Sequence, residues 1–194
     1  MKSIRLCAIC GLAFVLALTV ARARQSPVAD DEAKSTLAKV GEKAPDFTCK
    51  PITGDEFSLG KQQGKVVLVN FFATWCGPCL AELPHLEKEI QKKYGDRQDF
   101  KLIVIGREHS AEEVEKFAKE KKLAVPMAPD PKREIYGKYA EKYIPRNFVV
   151  GKDGKIKLAS VGYSETSFHE IVQTLEKELK QPSPGAGATA ARGD

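Results

Sequence analysis

Ten residues, KVVLVNFFAT, from Lys65 to Thr74, constrain this fold more than any other stretch. Apolar side chains occupy both parities of the run, so neither face can be left to water. The β-branched and aromatic content favours a strand. A strand buried on both faces needs a covering layer on each side and a crossover to its parallel neighbour. The following residues supply that crossover. Pro78 to about Tyr94 carries Leu80, Leu83, Leu86 and Ile90 at helical spacing. Pro84 is expected to kink this helix and Gly95 to end it. FKLIVIG, Phe100 to Gly106, reads as a second buried strand. Ser110-Ala111-Glu112-Glu113 then opens a second helix with a capping pattern, and Val114, Phe117 and Ala118 form its apolar face.

The remaining elements are read in the same way. Asp46 to Lys50 and Glu56 to Leu59 predict a short hairpin around Thr53-Gly54-Asp55. A short extended piece is expected near Ala124 to Ala128, and a short helical stretch from Asp130-Pro131 to about Tyr139. Arg146 to Val150 and Lys155 to Val161 predict a hairpin turning at Asp153-Gly154. Ser164 to Lys180 is a last helix with Phe168, Ile171, Val172, Leu175 and Leu179 on one face. The order predicts an α/β domain over residues 41–180, a mixed central sheet with helices on both faces. Residues 24–40 read as a polar, Ala-rich linker. Residues 181–194, rich in Pro, Gly and Ala, read as a disordered tail.

The chain of 194 residues is long enough for one domain with a real core, at 42% hydrophobic and 29% charged residues. Its net charge of +5 owes much to Lys2, Arg5 and Arg22, and what remains is nearly balanced and interspersed. That is too weak to argue for a nucleic-acid partner, and the interspersed charges read as a solvated surface. Met1 to Arg5 is a short positive start. Leu6 to Val20 is an apolar run of signal-peptide length, and Ala21-Arg22-Ala23 offers a cleavage site after Ala23, with one after Ala21 as the alternative. Residues 1–23 are therefore expected to be a signal peptide that sends the protein out of the cytoplasm. An uncleaved anchor is the rival, but the run is short for a bilayer span and Arg22 and Arg24 would sit on the wrong side. Cys7 and Cys10 would leave with the signal. Cys49, Cys76 and Cys79 remain, an odd count that leaves at least one thiol unpaired or transiently paired.

Cys76-Gly77-Pro78-Cys79 lies at the strand-to-helix junction, and this placement decides among its possible chemistries. The nucleophile is the thiolate, which free N–H groups and the dipole at a helix start favour. Pro78 suits an early helical position, where it sacrifices no hydrogen bond. Cys76 is thus expected at the helix start, with Cys79 one turn on, more buried and within disulfide range. Trp75 is expected to shield one side. A zinc site would need four ligands, and only Cys49 and the scattered His85, His109 and His169 are available. No His follows the CxxC, which excludes haem attachment. A structural disulfide closing so small a loop would contribute little stability. Thiol–disulfide exchange is the chemistry this junction suits.

VVLVNFFATWCGPC closely resembles the thioredoxin superfamily, and the wider frame APDF…GKVVLVNFFATWCGPCLAELPHL resembles its exported TlpA/ResA-like branch, over roughly Gly41 to Lys180. The resemblance implies a thioredoxin-like fold with an N-terminal hairpin and a central insertion. It implies a protein-disulfide oxidoreductase with Cys76 and Cys79 as the redox pair, flanked by Trp75, Gly77 and Pro78, without metal or organic cofactor. Pro145 matches the family's cis-proline, which keeps the cysteines metal-free and presents the backbone of the preceding residue, here Ile144, to a partner strand. Glu82 matches a glutamate that assists proton movement beside the pair; serving only the helix dipole is the alternative. Cytoplasmic thioredoxins bury an aspartate where this chain has Asn70, which cannot titrate. By the same resemblance, the substrates are disulfide-bearing proteins such as apocytochrome c, the electron donor is a membrane-spanning thiol transporter, and the protein is a monomer.

Cys49 reads as a small buried hydrophobe rather than a third redox centre. Arg107 and His109 fall in the loop after the second strand and read as solvated, without a role. The terminal Arg192-Gly193-Asp194 reads as a chance tripeptide. Two rivals to the reductase stand. One is a peroxiredoxin-type peroxidase, which needs a Thr-x-x-Cys frame where this chain has Thr74-Trp75-Cys76, one residue short. The other is a binding module with inert cysteines.

Overall fold

A computed structural model describes residues 27–183. Helix α1 (Pro27–Lys34) precedes a two-stranded hairpin of β1 (Thr48–Cys49) and β2 (Phe57–Ser58). Strand β3 (Val66–Phe72) follows, then α2 (Gly77–His85), which continues through a π-helical segment (Leu86–Gln91) into α3 (Lys92–Tyr94). Next come β4 (Phe100–Arg107), α4 (Ala111–Lys121), β5 (Met127–Asp130), α5 (Tyr136–Tyr139), β6 (Arg146–Val150), β7 (Ile156–Val161) and α6 (Glu165–Leu179). The signal peptide expected over residues 1–23 lies outside the described residues. Among those described, no helix is long and apolar enough to cross a membrane.

The five-stranded sheet has the order β5-β4-β3-β6-β7. β3 runs parallel to β4 and antiparallel to β6, so it is central, and all seven of its residues are buried. Its side chains alternate between two layers. Val66, Leu68 and Phe72 pack beneath α2, α4 and α6. Val67, Val69 and Phe71 pack against Phe47, Tyr136 and Tyr139 on the other face. The mixed sheet with helices on both faces is therefore present, with three of the longer helices gathered on one side. α4 starts on the expected capping box, with the Glu113 N–H donated to the Ser110 hydroxyl and the Ser110 N–H to the Glu113 carboxylate. Its close approach needs Gly106, where an added Cβ would meet Val114 at 2.9 Å.

Four expectations change. The linker assigned to residues 24–40 is built into the domain wherever it is described. α1 occupies part of it, Ser35, Thr36 and Ala38 are buried, and Leu37 and Ala38 donate their N–H groups to the Tyr139 carbonyl. The kink expected at Pro84 takes the form of a π-helical segment just beyond it, where the ladder widens after a residue that has no N–H to give. The helical stretch expected from residue 130 shrinks to Tyr136–Tyr139. Asp130 ends β5, and its carboxylate accepts the Ile135 and Tyr136 N–H groups that open α5. Residues 181–183, expected in the tail, are tied to the domain, since the Gln181 carbonyl accepts from the buried Lys152 ammonium and the Ser183 hydroxyl donates to the Gly64 carbonyl. Residues 184–194 lie outside the described residues.

Candidate active site

The site forms where β3 gives way to α2. Cys76 is the N-cap of α2, in extended conformation, and its sulfur accepts the Cys79 N–H at 3.2 Å. A sulfur thus takes the place of the oxygen that normally satisfies a free donor of the first turn. Pro78 falls within that turn, where it loses no bond. Cys76 and Cys79 are joined as a disulfide with their Cα atoms 5.2 Å apart. Cys79 is fully buried, and Cys76 is 5% exposed. Attack from outside can therefore reach Cys76 alone.

The opposing wall is the turn before β6. The Ile144–Pro145 peptide bond is cis, and Tyr143 ahead of it has a φ of 67°, in the left-handed region that a tyrosine seldom occupies. The Cys76 sulfur lies 3.7 Å from the Ile144 carbonyl oxygen. The Pro145 carbonyl is already engaged by the Gly162 N–H. A shallow depression of about 390 Å³ runs between the walls, with Trp75, Cys76, Gly77 and Pro78 on one side and Arg107, Tyr143 and Ile144 on the other. Trp75 is 65% exposed and forms a rim of this depression beside Cys76. A cleft of similar size, about 410 Å³, lies at the other end of β3 beside Lys61 and Lys65, away from the cysteines.

Beneath the pair lies a buried polar cluster. Glu82, three residues after Cys79 on α2, is 1% exposed. The Asn147 side-chain amide donates to one of its carboxylate oxygens at 2.7 Å, and the Asn70 amide to the other at 2.9 Å. Asn70 also donates to the Asn147 carbonyl oxygen at 2.9 Å. Burial pushes the Glu82 carboxyl up to about 7, against the opposing pull of the two amides and the His85 charge. Nothing in the sequence pattern marked Asn147. It faces Asn70 through the antiparallel register of β3 and β6, a pairing between distant segments.

Arg107 and His109 are corrected. His109 is buried, and its Nε2 accepts the Thr74 N–H at 3.0 Å, which fixes the backbone entering the motif. Nε2 therefore carries no proton. The Arg107 guanidinium lies over the Trp75 ring at 5.7 Å and the Tyr136 ring at 5.1 Å. The loop after β4 lies beside the loop after β3 because adjacent parallel strands end at the same edge of the sheet. That rule was the available signal. Cys49 is buried on the face of the sheet opposite the pair, and burial pushes its thiol up to about 12.

A family model described as the AhpC/TSA family matches residues 40–159. A curated relative, the thiol-disulfide oxidoreductase ResA of Bacillus cereus, is 32% identical over 146 residues, which cover 75% of this chain and 80% of that protein. A solution structure from Bacteroides thetaiotaomicron superposes with a TM-score of 0.72 at 38% identity, covering 76% of this chain and 94% of that one. The crystal structure of a thiol:disulfide interchange protein of the thioredoxin family from Chlorobium tepidum TLS superposes with a TM-score of 0.60 at 26% identity, covering 73% and 98%.

Proposed function

The chain belongs to the AhpC/TSA family and is a thiol-disulfide oxidoreductase of the thioredoxin superfamily, and on that premise we propose that it reduces disulfides in exported proteins through Cys76 and Cys79. The reduced Cys76 thiolate attacks one sulfur of a target disulfide, and the other target sulfur leaves as a thiolate and takes a proton from water. The target is held by main-chain pairing at Ile144, beside cis-Pro145. Cys79 gives its proton to Glu82 and attacks the Cys76 sulfur. The Cys76–Cys79 disulfide forms, and the second target sulfur departs with its bonding pair. Two electrons have passed from the pair to the target.

The observation that carries this reading is the Cys76 sulfur itself. It caps a helix start, faces the Ile144 carbonyl and lies at the floor of an open depression, while Cys79 is sealed beneath it. The signal-like start of the sequence supports a place outside the cytoplasm. There a membrane-spanning thiol transporter re-reduces the pair, and apocytochrome c is the target the family likeness favours. The protein works as a monomer.

Insulin reduction tests the roles. Cys76→Ser abolishes it, and Cys79→Ser accumulates mixed disulfides with the target. Insulin reduction by Cys76→Ser, with no adduct on Cys79→Ser, overturns the assignment. The AhpC/TSA description favours one other reading, a thiol peroxidase. Against it, the frame Thr74-Trp75-Cys76 is one residue short of Thr-x-x-Cys. Peroxide consumption at a rate matching insulin reduction would revive it.

A further inference from the structure

Glu82 meets its neighbours in a one-sided way. Both carboxylate oxygens accept an amide N–H, one from Asn147 and one from Asn70. The amide orientations are forced. Reversing Asn70 would turn its oxygen towards both the carboxylate and the Asn147 carbonyl oxygen, with no hydrogen between them. The cluster is therefore wired for an ionised Glu82, in a place where burial opposes ionisation. A proton arriving on either oxygen would confront an N–H donor. The Asn70 carbonyl oxygen is buried without a partner among the described residues.

We propose that Asn70 and Asn147 are positioning residues for the resolving step, favouring the ionised form of Glu82 against burial and aiming it so that it can take the proton of Cys79. The proposal rests on the reading of Glu82 as the proton acceptor given above. The step balances. The S–H bond of Cys79 breaks, its proton goes to a Glu82 oxygen, and the sulfur's electron pair forms the bond to Cys76. The target sulfur leaves as a thiolate, which takes a proton from solvent. The other titratable groups that sense Glu82 are His85 one turn along α2, which favours its charge, and Tyr163 ahead of α6, whose ionisation that charge opposes. Neither is hydrogen-bonded to it among the described residues. The two amides are the groups that reach both oxygens.

The test is single-turnover reduction of an oxidised peptide disulfide by the full chain from roughly pH 5 to 9, a span that brackets groups tuned for proton transfer at neutral pH. The Cys79→Ser protein isolates the attack step, and the remainder is resolution. With Asn147→Leu, one donor is lost and the ionised form is less favoured. The half-rise of the resolution rate should then move up by about one pH unit or more, while the attack step keeps its profile. Asn147→Thr, smaller and still a donor, should move it less, and it serves if the leucine variant does not fold. A slower rate with an unmoved half-rise in the folded variant would mean that Asn147 only packs, and would overturn the proposal. Glu82→Gln keeps the two failures apart. If its resolution profile matches wild type, Glu82 is not the acceptor and the proposal falls with that reading. If its profile changes while that of Asn147→Leu does not, only the positioning role is lost.

Discussion

Glu82 stands in an environment that resists its charge through burial and supports it through two amides, and the outcome is a carboxyl raised from 4.5 to about 7. This has a consequence for stability. The folded protein binds that proton more tightly than the unfolded chain, so the contribution is full below pH 4.5 and is lost as pH rises through about 7. At ~1.4 kcal/mol per pKa unit, the loss is about 3–4 kcal/mol. Chemical denaturation of wild type and Glu82→Gln across this range should show wild type losing ground to the variant as pH rises. Parallel stability curves would contradict it. Cys49 gives the opposite kind of expectation. Burial holds its thiol up at about 12, so iodoacetamide at pH 8 should label Cys76 in the reduced native protein and leave Cys49 unmodified until the protein unfolds. The cysteine pair was legible in sequence because its chemistry depends on a local arrangement, a strand end and a helix start a few residues apart. Asn147 was not legible, because its partners Asn70 and Glu82 lie far along the chain.

At the scale of elements, the segment before the first hairpin behaves as part of the site's framework. The Arg146 guanidinium, next to Pro145, is fully buried and meets no carboxylate among the described residues. It donates to the Thr36 and Ser35 hydroxyls at 2.6 Å each and to the Lys142 carbonyl at 2.9 Å. Asp31 accepts from the Lys142 ammonium and the Tyr143 hydroxyl. Residues 31–38 thus tie down the turn that presents Ile144. Buried donors left without partners cost about 1–3 kcal/mol each. Ser35→Ala with Thr36→Val should therefore lower stability by about 2–4 kcal/mol, and adding Arg146→Met should restore part of it. Denaturant titration checks both, and an additive third mutation would contradict the account. In sequence, Ser35 and Thr36 sit in a polar, Ala-rich run with no apolar period, which is why they read as linker. Their function is to accept hydrogen bonds from a strand more than a hundred residues away.

Across the whole molecule, the order β5-β4-β3-β6-β7 brings the segments of the site to one edge of the sheet. The loops after β3 and β4 arrive there because those strands are parallel, and the turn before β6 arrives because β6 is antiparallel. The strand, helix and hairpin signals were strong enough to give the sheet and its two layers. They do not show which loops meet, and so the sequence pattern alone leaves Arg107 and His109 in solvent although they back the motif. The central claim is that Cys76 and Cys79 form an exchanging couple that donates electrons. Its most direct test is the reduction potential of that couple, measured by equilibrating the full chain with dithiol buffers of known poise. The account predicts a reversible two-electron couple close to thioredoxin's, about −270 mV. A couple of about −120 mV, the range of a strong oxidant, or a disulfide that does not exchange at all, would contradict it.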